Sequence, residues 1–159
     1  MEYSDKINKK IQDSFNVADN NKPINQIPLI KIKNKILLVD DDELLHNMYA
    51  MKFEKNGFEV RVASGGEEAI KIIKDGYIPD IFITDIMMPN MDGLTIFEVI
   101  KKEKLAPNAV AIALTNKGLS TEINRAKEGG FHGYIVKATT IPADVVEEVK
   151  KICRNYCTD

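Results

Sequence analysis

Five short apolar runs, at residues 36–39, 60–63, 81–84, 110–114 and 134–136, alternate with five longer segments of helical periodicity. No other feature limits the fold as much. Strands separated by whole helices cannot pair through tight hairpins, so they run parallel and need helices on both faces. The helical segments are expected over residues 43–56, 66–75, 94–104, 121–128 and 143–155. In the first, Leu44, Met48 and Met51 are expected to form the apolar face, and Asn56-Gly57 to close the helix in the left-handed conformation common there. Five strand–helix units in about 120 residues predict one doubly wound α/β domain.

Such a domain needs a core. The chain has 159 residues, 44% of them apolar and 29% charged, which suffices for one. No apolar run approaches the ~18 residues that span a bilayer. Residues 1–10 lack the apolar stretch of a secretory signal, so a cytoplasmic location and no membrane contact are expected. A net charge of −2 and a pI near 5.8 provide no general attraction to nucleic acid. Lys101, Lys102 and Lys104 read as a solvated helix end. Residues 1–34 differ in texture, being rich in Asn, Lys and Ile with one narrow stripe, Ile7, Ile11 and Phe15. They are expected to form a flexible N-terminal arm ahead of a folded domain at 35–159. Cys153 and Cys157 lack a second Cys/His cluster and read as reduced and structural. His46 and His132 read as ordinary surface or packing residues.

The first apolar run leads into an acidic group, "KILLVDDDELL". Ligands of a parallel sheet bind beyond the carboxyl ends of its strands. Asp40 and Asp41 follow the first strand, Asp85 the third and Lys137 the fifth, while Thr115 ends the fourth. By itself, "DDD" before a helix is a capping cluster, with Asp42 as N-cap and Glu43 in the first turn. Capping does not account for Asp40, Asp41 and Asp85 together, because converging carboxylates repel unless a counter-charge joins them. A hard divalent cation such as Mg²⁺ resolves the conflict, and a carboxylate beside it can act as a nucleophile toward a phosphoryl group.

In order and spacing, "ILLVDDDE", "DIFITDIMMPNMDG", "AIALT" and "GYIVK" resemble the receiver domain of two-component response regulators. The resemblance implies a flavodoxin-like, five-stranded parallel sheet of order 2-1-3-4-5. It implies Asp85 as phospho-acceptor, with Asp40, Asp41, Asp85 and the Met87 carbonyl holding Mg²⁺, Asp41 directly and Asp40 through water. Thr115 resembles the hydroxyl that bonds a phosphoryl oxygen, Lys137 the ammonium paired with the acyl phosphate, and Tyr134 the aromatic that turns inward in response. Two positions depart from the family. Ala138 stands where proline usually follows the lysine, so the "KATTIP" loop is free to take another course. Asn116 stands where a small residue is usual, and with the Met87 side chain it is expected to border the path of water to the phosphoryl group.

The resemblance implies a signalling switch that takes its phosphoryl group from a histidine kinase or phosphotransfer protein, modifies only its own aspartate, and is not an enzyme acting on other substrates. A haloacid-dehalogenase-type phosphohydrolase would place an aspartate where Met87 stands. A pseudo-receiver that only binds partners stays open as an alternative; flavin binding lacks its Ser/Thr/Gly-rich loop. Since the chain ends soon after the last helical segment, output is expected through a downstream protein partner or phosphorylation-dependent self-association, without DNA binding. The surface expected to carry it comprises Tyr134 and the segments 121–128 and 143–155.

Overall fold

Ile36, Leu37, Leu38 and Val39 have no polar alternation, and all four are fully buried in β1 (Lys35–Val39), which therefore needs cover on both faces. A computed structural model describes residues 34–116 and 120–156 of the chain. The Ile7, Ile11 and Phe15 stripe and Cys157 lie outside the described residues.

The other strands are β2 (Glu59–Ala63), β3 (Ile81–Asp85), β4 (Val110–Thr115) and β5 (Gly133–Val136). All pair in parallel, in the order β2-β1-β3-β4-β5. The flavodoxin-like order implied by the resemblance is thus the one observed. Central β3 and β4 are buried at every residue, whereas the edges β2 and β5 expose part of theirs.

Among the described residues, five α-helices connect and follow the strands: α1 (Glu43–Lys55), α2 (Gly66–Lys74), α3 (Gly93–Lys102), α4 (Ser120–Glu128) and α5 (Pro142–Arg154). One face of the sheet, including Leu37, Val39, Phe82, Ala111 and Ala113, packs with Ile73 of α2, Ile96 and Phe97 of α3 and Ala126 of α4. Phe97 ties this layer together, its ring centre 6.1 Å from Phe82 and 4.6 Å from Phe131. The alternate residues, such as Ile36 and Leu38, face the opposite side, where α1 and α5 pack together. Val145, Val146, Val149 and Cys153 of α5 are buried.

Helix limits follow local chemistry. Asp42 caps α1 by accepting from the Leu45 N–H at 3.0 Å, and Asp92 caps α3 by accepting from the Thr95 N–H at 2.8 Å. That cap starts α3 at Gly93, and the helix stops at Lys102 because Lys104 turns into the left-handed region with φ 53°. Gly57 closes α1 with φ 88° as its sequence suggests.

The expected apolar face of α1 is corrected. Leu44 and Met51 are 79% and 58% exposed and Met48 is also on the surface, while His46, Tyr49, Ala50 and Phe53 are buried. Both sets repeat at helical spacing, so periodicity does not choose between them, and packing against the sheet turns the aromatic set inward. Tyr49 and Phe53 also bury more apolar area than the set left outside. The lysine cluster is likewise not purely solvated: the Lys101 ammonium donates to the Gly129 carbonyl and lies 4.7 Å from the centre of the Phe97 ring.

Tyr77 fastens the strand ends opposite the acidic residues. Its hydroxyl lies 3.1 Å from the Ile36 carbonyl and 3.0 Å from that of Glu59. Burial, with Glu59 nearby, pushes its pKa up to about 12, so it stays a donor at any physiological pH. Tyr77→Phe is expected to cost about 1 kcal/mol in urea unfolding, the usual value of a lost hydrogen bond. An unchanged midpoint would show that the hydroxyl contributes nothing.

Candidate functional site

Strand register assembles the site. Val39 pairs with Thr84, so Asp40 emerges beside Asp85 as the chain leaves β1. Asp85 pairs with Leu114, which sets Thr115 one residue further along β4. Thr115 pairs with Val136, and Lys137 follows directly. A one-residue slip anywhere would send these side chains to opposite faces.

Oxygens of Asp40, Asp41 and Asp85 all lie within 4.8 Å of one another. Asp40 and Asp85 are buried, and Asp41 is exposed. The Lys137 ammonium lies between the two buried carboxylates, 2.6 Å from Asp40 Oδ2 and 3.0 Å from Asp85 Oδ2. Lys137 thus supplies part of the counter-charge that converging carboxylates need. One ammonium still faces three carboxylates, so the group remains short of positive charge. Every peptide bond among the described residues is trans, and Lys137–Thr139 form a 3₁₀ turn. With Ala138 in place of proline, the lysine therefore still reaches the acidic group.

The remaining hydrogen bonds orient these oxygens. Asp40 Oδ1 accepts from the Asp42 N–H at 3.0 Å, and Asp85 Oδ1 accepts from the Met87 N–H at 3.3 Å. Burial pushes the Asp85 carboxyl above its ordinary pKa; Lys137 opposes this and Asp40 adds to it. For Lys137, burial alone would lower the ammonium, but its bonds to Asp40 and Asp85 outweigh that and raise it. The two shifts are compatible, because one lysine gains two carboxylate partners while Asp85 shares its lysine with a like charge.

Thr115 is fully buried, and its hydroxyl has no hydrogen-bond partner among the described residues. A buried hydroxyl left this way costs free energy unless a ligand completes it. Tyr134 is 40% exposed, with the Lys127 ammonium 6.0 Å from its ring centre. The Met87 side chain is on the surface.

Two residues on α1 escaped the sequence reading. His46 is buried, with Nδ1 2.8 Å from the Asp40 carbonyl oxygen. Tyr49, one turn on, has its phenol raised by burial first, and it also feels Lys137, Asp40, Asp42 and Asp85. A signal existed for His46: six residues past Asp40 and one turn into a capped helix, its ring can fold back onto the loop. His132 is hydrogen-bonded instead at the far edge, where its Nδ1 accepts from the Ala111 N–H at 2.9 Å.

Three hard carboxylates around one gap suit a divalent cation with oxygen ligands. Among the described residues no helix is long and apolar enough to cross a membrane.

The response regulator receiver domain family matches residues 36–150. The transcriptional regulatory protein SrrA of Staphylococcus aureus is 34% identical over 123 residues, which are 77% of this chain and 49% of that protein. The chain thus spans about half the length of the curated relatives it matches. Among solved structures, a response regulator receiver domain protein of Clostridium thermocellum is 28% identical with a TM-score of 0.66, covering 78% of this chain and 94% of that one. The chemotaxis protein CheY4 of Vibrio cholerae, at 23% identity, shares the fold with a TM-score of 0.69 over 76% of this chain and 99% of its own. With the sheet order and the match across its folded part in agreement, the chain belongs to the response regulator receiver domain family of two-component signalling.

Proposed function

We propose that this receiver domain is a phospho-accepting switch that takes a phosphoryl group onto Asp85 from a histidine kinase or phosphotransfer protein. The observation that carries this reading is the Lys137 ammonium bridging Asp40 and Asp85 at 2.6 and 3.0 Å in a group still short of positive charge. Asp40, Asp41, Asp85 and the Met87 carbonyl would hold Mg²⁺, which when bound supplies charge against the phosphoryl oxygens.

An Asp85 oxygen forms the new P–O bond as the donor's P–N bond breaks, and the leaving imidazole takes its proton from solvent. Lys137 offsets charge on the transferred group at the oxygen it faces. Thr115, whose buried hydroxyl has no partner among the described residues, donates to a phosphoryl oxygen. Receiver domains of this kind are signalling modules rather than true enzymes, and the group modified is the domain's own aspartate. Exposed Leu44, Met87 and Ile141, each a few residues from a site loop, offer apolar contact to a protein donor.

Output follows from Thr115. Drawing its hydroxyl to the phosphoryl group moves β4 against Tyr134 of β5 and so biases the face formed by Tyr134, α4 and α5 toward a protein partner or a second copy. The domain itself then needs no nucleic-acid contact. A full reversal from 1:99 to 99:1 would require about 5.5 kcal/mol of differential stabilisation, so a partial shift is expected.

Incubation with acetyl phosphate and Mg²⁺, followed by intact-mass measurement, should add one phosphoryl group, and omission of Mg²⁺ should prevent it. No added mass under either condition would overturn the proposal. Thr115→Ala should still be labelled but lose most of the beryllofluoride-induced amide shifts around Tyr134. Equal shifts in variant and wild type would remove Thr115 from the coupling.

A further inference from the structure

Helix α1 turns a polar side chain inward where it meets the acidic loop. His46 is 3% exposed, and its Nδ1 lies 2.8 Å from the Asp40 carbonyl oxygen. A carbonyl only accepts, so Nδ1 carries the hydrogen and donates it. The His46 backbone N–H donates to the Asp42 carbonyl at 3.0 Å. One residue therefore holds the loop at both ends.

Other bonds hold the Asp40 N–H and its carboxylate, but not its carbonyl. Asp40 N–H donates to the Ala63 carbonyl at 3.1 Å, which fixes where β1 ends. Asp40 Oδ1 is engaged within the loop by the Asp42 N–H, and Asp40 Oδ2 by Lys137. The His46 ring thus supplies the hydrogen bond that anchors the Asp40 carbonyl to a helix, and the peptide that follows this carbonyl leads directly to Asp41. Rotation of that peptide would swing the exposed Asp41 carboxylate away from Asp85; the Asp42 N–H bond to Asp40 Oδ1 opposes it from within the loop, and the His46 ring opposes it from the helix.

We infer that His46 is a positioning residue for the cation site, its Nδ1–H holding the Asp40–Asp41 peptide so that both carboxylates converge with Asp85. The inference rests on the reading that this acidic group binds Mg²⁺. Groups that orient metal ligands from behind typically change metal affinity by 10- to 100-fold when lost. A residue that merely fills space would not show this dependence on one donor atom.

The test separates the donor from the volume. Asparagine can place its side-chain amide nitrogen where Nδ1 lies, glutamine reaches past that point, and leucine fills the space without donating. Mg²⁺ alone is titrated into metal-free wild type, His46→Asn, His46→Gln and His46→Leu, and affinity is read from amide shifts at a temperature where each is folded. His46→Asn should bind within about twofold of wild type, and His46→Gln and His46→Leu about tenfold more weakly. If His46→Leu fails to fold, the Asn and Gln pair carries the comparison. Equal affinities of Asn and Gln variants overturn the inference, as does tighter binding in every variant, which would mean that the ring opposes the cation. Wild type that binds no Mg²⁺ refutes the metal reading itself; wild type that binds, with variants unchanged, refutes only the role of His46.

Discussion

Asp85→Asn is expected to abolish phosphoryl capture and, in metal-free protein, to make the fold more stable. The first effect follows because an amide oxygen is a poor nucleophile, so labelling by acetyl phosphate should fall below detection. The second follows from burial. Asp85 holds its proton more tightly in the folded chain than its ordinary value of 3.8. Such a group weakens the fold as pH rises past its unfolded pKa, and the loss is complete above its folded pKa. Asparagine stays neutral and escapes this loss. In chelator, urea unfolding should rank the variant above wild type near pH 7, and the difference should shrink as pH falls toward the ordinary carboxylate range. Mg²⁺ should narrow or reverse the ranking, because it stabilises the chain that binds it more tightly. A difference independent of pH would show that the ionised Asp85 carboxylate is not the source.

Gly93→Ala should be the most damaging small substitution in the domain. A Cβ at Gly93 would lie 2.2 Å from the Asp85 backbone oxygen and 3.0 Å from Thr84 Cγ2. Neither neighbour can yield. Asp85 is held in β3 by its pairing with β4, and the Gly93 N–H donates to the Ile86 carbonyl at 3.0 Å. Overpacking of this kind costs typically up to about 3 kcal/mol, and more when backbone must move. The displaced backbone carries the phospho-acceptor, so labelling of whatever remains folded should slow as well. Gly65→Ala serves as the control: a Cβ there meets nothing within 4 Å, and a glycine N-cap changed to alanine should cost under about 1 kcal/mol. Equal midpoints for the two variants would show that α3 has room to shift.

The strand–helix alternation and the sheet class were legible because both depend on short-range physics. Continuous apolar runs need cover on both faces, and long connections exclude hairpins. Asp42 as a cap and Gly57 as a helix stop were legible for the same reason, since each acts within one turn of its own backbone. The phase of α1 was not. Leu44, Met48 and Met51 have the same periodicity as His46, Tyr49 and Phe53, and periodicity alone does not say which stripe faces a sheet that other segments build.

For the site, the sequence by itself determined which chemical groups stand at strand ends: carboxylates at Asp40, Asp41 and Asp85, a hydroxyl at Thr115 and an ammonium at Lys137. Tertiary structure alone decided how they are paired. Lys137 reaches Asp40 across 97 residues and Asp85 across 52, which is a matter of register between β1, β3, β4 and β5. His46 became a partner of the Asp40 carbonyl only once α1 had settled with that stripe inward. Local propensity acts over a few residues, whereas burial and charge pairing are properties of the surface that distant segments form together, so which side chain meets which was decided only when the sheet closed its register.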